Sequence, residues 1–529
     1  MSLDRCNLEV VVMSKQLFHT PQSMSRRTLL QASAAVAASL ALPRAVFAQE
    51  AASIVWGKSI EVSMIDPHTA LVGSAWQLQY LVYETLVQMG DNYETLPGLA
   101  ESWETPSPTT YVFHLREGVK FSNGRAMTAD DVAGSLSRIV DPKFGSWWAF
   151  QLGSVKSIAA TDARTVTVEL NEPFTPLLAS LAASMTAILP MEELKAGTFD
   201  PSKDMLGTGP FMVTEHQQND FWTLKKNPFY WQAGLPKVEQ VTVKIITDDT
   251  ARLSALQDGT IDIANFENPD APLLLQVIPN VAVVSQSTPD LYTLVLNSVY
   301  ADSPFRDAKL REAVFLALDR EQIHQIALSG QGAVSGAAPV NFEGSCPAPG
   351  KTRDVEKAKA LVQEAGGLTF EMLVQSSQAI QRIAQVIQQN LAEAGINVVL
   401  TVVDEGVFVD KVFVNAQFQA APLFWSAYAD PGMVPPLWEP SIAGSTGGYV
   451  VSEPKLADLL ANVRKTPVGP ERTAMFKEVC ELVDASAQMI PLVTKPVTVG
   501  YRTDRLSAVI QPNEGYNGTL RHIAEFTKL

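Results

Sequence analysis

Two glycine-rich segments are the first places where residue types and spacing suggest chemistry, because glycine loops can hold phosphate groups. Residues 344–352 read GSCPAPGKT, with five residues between the glycines where a phosphate-binding loop has four. Two prolines in this segment also remove backbone amides that would donate to phosphate. Residues 330–336, GQGAVSG, miss the dinucleotide-binding spacing by one residue and follow a helical pattern at 311–328 instead of a strand. Neither segment therefore predicts a nucleotide site.

The usual motifs of hydrolytic and metal-dependent enzymes are missing from the sequence. It contains no HExxH, CxxC or GxSxG motif. The six histidines are scattered, with no two at a spacing that suits a metal ion: His19, His68, His114, His216, His324 and His522. Adjacent acids such as Asp130 and Asp131 are interpreted as solvated helix starts. We therefore expect a protein that is not an enzyme and that uses no cofactor and no directly bound metal.

Residues 24–48 have the pattern of an export signal. MSRRTLL at 24–30 contains paired arginines, a mildly apolar run follows to residue 42, and small residues precede a cleavage point after Ala48. The apolar run, 29–42, has 14 residues, fewer than the ~20 that span a bilayer. We predict a twin-arginine signal peptide and the removal of residues 1–48. Met1 and Met24 both remain candidate start residues.

The composition is that of an acidic globular protein with several domains. The chain has 529 residues, of which 46% are hydrophobic and 18% charged, and typical domains have roughly 100–150 residues. A net charge of −16 argues against a main role in coating nucleic acid or anionic lipid. Cys6 is lost with the predicted signal. Cys346 and Cys480 remain, and a disulfide and two buried free thiols are equally consistent with the sequence.

Hydrophobic periodicity predicts the elements that would position functional residues. Alternating apolar residues predict strands at 111–115, 165–170, 238–246, 292–296, 369–374 and 398–403. Helical spacing predicts helices at 354–365 and 382–394, each ending at glycine. Thr128 is placed to cap a helix over 129–139, with two aspartates in its first turn. Because strand, helix and strand alternate from 354 to 403, we expect an α/β lobe there.

Several blocks of the sequence resemble a known family. The strongest block runs from LAESWE at 99–104, through YVFHLREGVKFSNG at 111–124, to MTADDV at 127–132. Further blocks are GTGPF at 207–211, NPFYW at 227–231 and the stretch 305–320. In this order, over roughly residues 54–525, they resemble the extracellular solute-binding proteins of ABC importers, family 5. That family includes dipeptide-, oligopeptide- and nickel-chelate-binding members.

The resemblance implies an α/β fold of the periplasmic-binding-protein type II, or Venus-flytrap, kind. In this fold two lobes close on a ligand by a hinge motion. Residues 49–295 and 494–529 would form lobe I, with 92–210 as an extra inserted subdomain. Residues 296–493 would form lobe II.

The same resemblance implies the function and the partners. The protein would be the periplasmic substrate-binding component of an ABC importer, capturing a small polar solute, preferably a peptide or a peptide-like compound. It would act as a monomer, deliver the solute to an inner-membrane permease with a cytoplasmic ATPase, and bind no nucleic acid. The alternatives are a receptor for a nickel chelate, an opine or an oligosaccharide, an exported hydrolase on a two-lobed fold, and a sensory or chaperone-like protein without a permease.

Residues 423–431, LFWSAYADP, are the most informative about the ligand. The resemblance places Trp425 at the lobe edge, where it would form a rigid apolar wall; core packing is the structural alternative. Peptide-binding relatives carry, three residues after this tryptophan, an aspartate that pairs with the peptide ammonium. This chain has Tyr428 there, and Asp430 follows two residues later. Either Asp430 takes over the role or the ligand lacks that ammonium.

The resemblance also selects ligand candidates outside that block. Arg382 lies where some peptide-binding relatives hold a carboxylate with an arginine, a geometry that a guanidinium suits; a solvated surface position is the alternative. Trp147 and Trp148 lie in a region that contributes to the cleft of nickel-chelate-binding relatives, one stacking on ligand and the other packing inward. His68, in the DPH segment near the first strand, and Tyr449, after two glycines, complete the predicted ligand-binding residues.

Overall fold

The computed structural model describes residues 52–62, 64–71, 73–90, 93–337, 343–346, 352–425, 430–433, 449–508, 510 and 518–529. The predicted signal peptide and Tyr428 lie outside these residues. The strands are, in chain order, β1 Ser53–Lys58, β2 Val87–Met89, β3 Thr95–Pro97, β4 Ala100–Ser107, β5 Thr110–Leu115, β6 Val155–Asp162, β7 Thr165–Leu170, β8 Phe211–Gln217, β9 Phe221–Lys226, β10 Gln240–Ile245, β11 Ile263–Phe266, β12 Val281–Leu296, β13 Leu368–Gln375, β14 Ile396–Val403, β15 Ala420–Trp425, β16 Met489–Arg502, β17 Leu506–Ser507 and β18 Thr527–Lys528.

The described α-helices range from short turns to 17 residues. Their bounds are Gly73–Val82, Ala129–Val140, Leu177–Ser180, Met191–Ala196, Asp249–Asp258, Ala271–Leu275, Ala308–Ala317, Arg320–Gln322, Val355–Glu364, Gln378–Glu393, Glu405–Phe408, Pro454–Lys465 and Pro470–Ser486. Short 3-10 turns lie at Trp147–Leu152, Ser184–Thr186, Pro304–Arg306, Pro431–Met433 and Ile523–Glu525, and π-helical turns at Ile323–Ala327 and Val409–Val414.

Ten strands form one sheet in the order β14-β13-β15-β12-β16-β11-β1-β10-β9-β8. On one side β1 lies between β10 and β11, and all three are parallel. On the other side β13 and β14 are parallel. Between these groups run the antiparallel strands β12 and β16, which have 16 and 14 residues and are the longest of the described fold. They join the two parallel groups into one sheet.

A second, antiparallel sheet of four strands, β4-β5-β7-β6, packs with the helix Ala129–Val140. The predicted cap of this helix is confirmed, because the Thr128 side chain accepts a hydrogen bond from the Asp131 amide. The Asp131 carboxylate accepts in turn from the Thr128 amide at 2.9 Å, which completes a capping box. Arg125 adds two hydrogen bonds to that carboxylate, at 2.8 and 2.9 Å. The sequence motif 127–132 therefore specifies a helix start.

The predicted strands are present, and five of the six have bounds shifted by at most two residues. The sixth, 292–296, is the end of the much longer β12. The prediction that a helix opens at Arg382 is wrong, because that helix starts at Gln378 and buries Ile380 on the core. The helical pattern 311–328 is also divided, since one helix ends at Ala317 and Asp319 caps the start of the next.

The buried hydrophobic residues form separate clusters. The largest draws on residues 54–263, 497–526 and Met433, and the second on residues 292–493. A third cluster includes Cys346 and Cys480, which are joined in a disulfide. Met433 thus packs with the first cluster although it lies within the range predicted for lobe II. The lobe boundaries stay a prediction.

A buried carboxylate connects two of the sequence blocks that carry the family resemblance. The Thr208 hydroxyl donates to Glu84 at 2.8 Å, the Tyr230 hydroxyl at 3.2 Å and the Trp231 indole at 3.0 Å. The Arg116 guanidinium lies 4.3 Å from the centre of a Trp231 ring. Burial raises the pKa of Glu84 from 4.5 to about 7, although these hydrogen bonds and Arg116 oppose the rise. The segments 207–211 and 227–231 therefore hold one acid in the core.

Glu84 makes the stability depend on pH in a direction opposite to that of a paired surface acid. Folded Glu84 binds its proton more tightly than the unfolded chain does, so the free energy of unfolding falls as pH rises from 4.5 to about 7. In the wild type this fall should amount to at most about 3 kcal/mol, and we expect it to be absent in Glu84→Gln. Urea unfolding at pH 4.5, 6, 7 and 8 measures it, with exposed Glu101→Gln as the control. Identical pH profiles for wild type and Glu84→Gln would contradict the prediction.

Candidate functional site

The carboxyl ends of parallel strands form the edge of an α/β sheet at which ligands bind. Lys58 is the last residue of β1, and Glu267 follows the end of its parallel neighbour β11. In the other parallel group, Glu405 opens the short helix after β14. Asp404 caps that helix by accepting from the Val407 amide at 3.0 Å. The two groups of strands thus present charged residues at their carboxyl ends.

Lys58 is a buried cation, with 1% of its surface exposed. Its ammonium donates to the side-chain oxygen of the equally buried Gln77, at 2.6 Å. Burial lowers the pKa of Lys58 to about 7, while the carboxylates of Glu267 and Glu405 oppose this shift. A lysine from one parallel group therefore lies within electrostatic reach of an acid from the other.

Glu405 is partly buried. Burial raises the pKa of its carboxyl, the neighbouring Glu267 carboxylate raises it further, and Lys58 lowers it. Lys58, Glu267 and Glu405 thus form one electrostatically connected group, which we call the crevice charges.

Trp425 is the last residue of β15 and pairs in register with Leu291 on β12. It is partly buried, and its ring meets that of Phe413 edge to face at 5.7 Å. The buried indole nitrogen has no hydrogen-bond partner among the described residues. The preceding residue, Phe424, meets Tyr292 at 6.3 Å. Trp425 therefore lies beside the crossing strands and packs against the third hydrophobic cluster, and its predicted contact with ligand stays a prediction.

Asp430 is held by a buried arginine. The two guanidinium nitrogens of Arg472 donate to its two carboxylate oxygens at 2.5 and 3.1 Å. Arg472 is 0% exposed and also donates to Glu343 at 3.1 Å. The Gly432 amide donates to Asp430 at 2.6 Å. These contacts give Asp430 a structural role, and its predicted contact with ligand stays a prediction.

Arg382 forms an ion pair with Asp270, with 3.0 Å between its Nη1 and the carboxylate. Its other terminal nitrogen donates to the Ile326 carbonyl at 2.9 Å and to the Ser329 hydroxyl at 3.2 Å. Because Asp270 lies in the range predicted for lobe I, this arginine connects the predicted lobes. Arg382 thus takes part in an intramolecular ion pair, and its predicted contact with ligand stays a prediction.

The two adjacent tryptophans differ in burial. Trp148 is 5% exposed, its indole donates to the Ala70 carbonyl at 2.9 Å, and its ring meets Trp76 edge to face at 5.5 Å. Trp147 is only partly buried. Of the two, Trp148 is therefore the one that packs inward.

His68 and Tyr449 are both completely buried. The His68 ring nitrogens lie 2.9 Å from the Ala187 carbonyl and 2.9 Å from Arg138, and burial lowers its pKa to about 4. Tyr449 packs edge to face on Phe418 at 5.5 Å. Neither residue is brought to the crevice charges by a contact described in the structure, so their predicted ligand roles stay predictions.

A second contact connects the predicted lobes away from the crevice charges. The Thr175 amide donates to the Arg464 carbonyl at 2.7 Å, and its hydroxyl to the Thr466 carbonyl at 2.9 Å. Lys465 pairs with Glu172 at 2.7 Å. A cavity of about 180 Å³ lies beside this contact, lined by Phe150, Gly153, Ser154, Glu172, Pro173, Phe174, Met433, Ala461, Arg464 and Lys465.

Sequence reasoning missed the crevice charges. For Lys58 a signal was available, because it is a lysine at the end of an otherwise apolar strand, SIVWGK. For Glu405 the signal was its place two residues after a strand of a predicted α/β lobe. Within the described residues, no group of three or more histidines, cysteines or acids is placed to hold a metal ion. No described helix is long and apolar enough to cross a membrane.

Comparison with known proteins identifies the class to which this fold belongs. AgaA from A. tumefaciens R10, solved in complex with agropinic acid, superposes with a TM-score of 0.81 at 24% identity, covering 90% of this chain and 98% of AgaA. NikZ from Campylobacter jejuni, solved with Ni(L-His), superposes with a TM-score of 0.79 at 21% identity, covering 90% and 99%. The fold is thus the two-lobed α/β fold of type II periplasmic binding proteins, as predicted.

The chain belongs to the bacterial extracellular solute-binding proteins of family 5, whose middle region matches residues 94–441. The glutathione-binding protein GsiB of Escherichia coli strain K12 is 27% identical over 471 residues, which cover 86% of this chain and 91% of GsiB. The family resemblance seen in the sequence is therefore confirmed, and so is the predicted class of function, a solute-binding protein.

Proposed function

We propose that this protein is the periplasmic substrate-binding component of an ABC importer and captures a small peptide or peptide-like solute between its two lobes. The family match over residues 94–441 is the observation that carries this proposal. The protein works as a monomer without enzymatic activity, and it delivers the unaltered solute to an inner-membrane permease coupled to a cytoplasmic ATPase.

The charges at the carboxyl ends of the two parallel groups of strands support a polar, charged solute. Lys58 and Glu405 bring opposite charges from the two parallel groups of strands, and Trp425 supplies an aromatic surface at the end of β15. Charged and aromatic groups at the carboxyl ends of parallel strands suit a small molecule that is both polar and partly apolar. Capture at micromolar affinity needs about −8 kcal/mol, a value that a closed crevice with a few charge-assisted hydrogen bonds supplies.

The proposed route to the periplasm is the twin-arginine pathway. It is supported by the paired arginines at 26–27 and the candidate cleavage point after Ala48. Replacing both arginines by lysine and following the mature protein in periplasmic and cytoplasmic fractions tests the route. Undiminished periplasmic protein in the variant would exclude it.

An opine is the second candidate for the solute. The position at which peptide-binding relatives carry an ammonium-binding aspartate is Tyr428 in this chain, and the similar fold of AgaA was solved with agropinic acid. Denaturing the purified protein and identifying the released solute by mass spectrometry distinguishes a peptide from an opine. Incubating that solute with refolded protein tests the enzymatic alternative, because turnover of the solute would refute a purely binding function.

Replacing Trp425 by alanine is expected to weaken binding of the released solute by about 10- to 100-fold, because an aromatic side chain in a ligand crevice contributes roughly 1.5–3 kcal/mol of buried apolar contact. The truncation also removes packing on Phe413 and on the third cluster, which lowers stability by less than the about 3–5 kcal/mol lost when a fully buried tryptophan is truncated. Calorimetric titration measures the affinity and urea unfolding the stability. Phe229→Ala, at a 39% exposed aromatic, is the control. Unchanged affinity of Trp425→Ala would remove this residue from the site.

A further inference from the structure

Lys58 is a buried cation without a buried counterion. The ion pairs of the described residues, with nitrogen–oxygen distances up to 4.0 Å, do not include Lys58, and its ammonium makes one hydrogen bond, to Gln77. An ammonium has three donors. A buried charge is costly unless it is paired and its hydrogen-bonding capacity is filled. The side chain is therefore prepared to accept an anionic partner that is not part of the protein.

Glu405 presents the opposite charge from the other parallel group of strands. Among the described residues, no hydrogen bond or ion pair of 4.0 Å or less involves its carboxylate. It nevertheless lies close enough to Lys58 for each to act on the pKa of the other. The two charges come from opposite groups of strands and do not form a direct ion pair. A molecule that carries both an anionic and a cationic group can pair with both.

We propose that Lys58 and Glu405 are the charged ligand-binding residues of this protein, Lys58 holding a carboxylate and Glu405 an ammonium of a zwitterionic solute. This inference rests on the proposed function and specifies its solute as an amino-acid-like or peptide-like zwitterion. Gln77 orients the Lys58 ammonium, and the Asp404 cap orients the helix that carries Glu405.

The assignment also explains how an ammonium is bound without the aspartate of peptide-binding relatives. That position is Tyr428 in this chain. The next acid, Asp430, already has both carboxylate oxygens bonded to Arg472. Glu405 is therefore the acid of lobe II whose charge is within electrostatic reach of the crevice lysine and is not already used by an internal arginine.

The test is calorimetric titration of the full mature chain with four probes: Ala-Ala, its C-terminal amide, its N-acetyl form, and glutathione. Ala-Ala or glutathione should bind wild type in the micromolar range, and amidation or acetylation of Ala-Ala should weaken its binding. We expect Lys58→Met and Glu405→Gln each to weaken the better zwitterion by ~30-fold or more. Amidation should no longer matter in Lys58→Met, and acetylation should no longer matter in Glu405→Gln, because the partner charge is gone.

Stability measurements separate a ligand-binding role from a structural one. Removing an unpaired buried charge relieves a cost, so the melting temperature of ligand-free Lys58→Met should equal or exceed that of wild type. If Lys58 instead stabilised the fold, replacing it by methionine would lower both the stability and the affinity. Lys58→Gln is the second variant, should methionine prevent folding. The controls are Lys477→Met and Glu471→Gln, which remove exposed charges of the helix Pro470–Ser486 and should leave affinity within twofold of wild type.

Three outcomes would overturn the inference. In the first, a zwitterionic probe binds wild type and both variants equally, which leaves the proposed function intact. In the second, none of the four probes binds and denaturation releases a neutral sugar. Solute binding is then still supported, but the proposal that the solute is a zwitterion is refuted. In the third, a probe is converted to products, so the proposed function fails as well.

Discussion

Replacing Arg472 by methionine is expected to lower the free energy of unfolding by about 3–5 kcal/mol, because it leaves a buried carboxylate without its counterion. Arg472 is 0% exposed and bonds both oxygens of Asp430, which is 7% exposed. The same guanidinium donates to Glu343 and, through Nε, to the Val463 carbonyl at 2.8 Å. Urea unfolding monitored by circular dichroism measures the loss.

A double-mutant cycle distinguishes an unpaired charge from a simple packing defect. Asp430→Asn alone should destabilise the protein, but adding it to Arg472→Met should restore part of the lost stability, since the stranded negative charge is removed. Arg164→Met is the control, because its pair with Glu117 is exposed and is worth no more than about 1 kcal/mol. Strictly additive losses in the cycle would contradict the ion-pair explanation.

Removing the disulfide between Cys346 and Cys480 is expected to lower the free energy of unfolding by about 2–4 kcal/mol. The bond joins residues 134 positions apart, so it restricts a long loop in the unfolded chain. Both cysteines are buried in the cluster that also contains Phe418 and Tyr449. The variant with both cysteines replaced by alanine is compared with wild type in urea under oxidising conditions.

The same comparison in reducing buffer is the control for the disulfide. Once the unfolded wild-type chain is reduced, its unfolding midpoint should approach that of the variant, because both chains then lack the cross-link. Coincident unfolding curves of wild type and variant under oxidising conditions would show that the cross-link does not stabilise the protein.

The sequence predicted correctly those helix and strand ends that are set by residues close to them in the chain. The helix Ala129–Val140 begins where Thr128 and Asp131 cap each other, and both partners lie within four residues. The start at Gln378 was missed because the added turn is stabilised by burial of Ile380 in the second cluster, a tertiary effect. The pattern 311–328 looked continuous because apolar spacing continues through Asp319, although the Asp319 side chain bonds the Gln322 amide and starts a new helical segment.

The roles of charged residues depended on partners far along the chain. Asp430 meets Arg472 across 42 residues and Arg382 meets Asp270 across 112. A sequence pattern identifies a carboxylate or a guanidinium, but it does not show which of them is neutralised inside the fold. The ion pairs of Asp430 and Arg382 therefore lie beyond what a sequence pattern can predict.

The sequence by itself determined the family, the two-lobed α/β class and the solute-binding function, because these follow from ordered motifs of turns, caps and alternating strands that act over short stretches. Only the tertiary structure decided which charges are paired inside the fold. In the folded chain Lys58 at the end of β1 and Glu405 after β14 act on each other's charge without a direct ion pair, whereas Asp430 is paired with the buried Arg472. The free energy of a charge depends on its burial and on its nearest opposite charge, and both are set by residues distant in the chain.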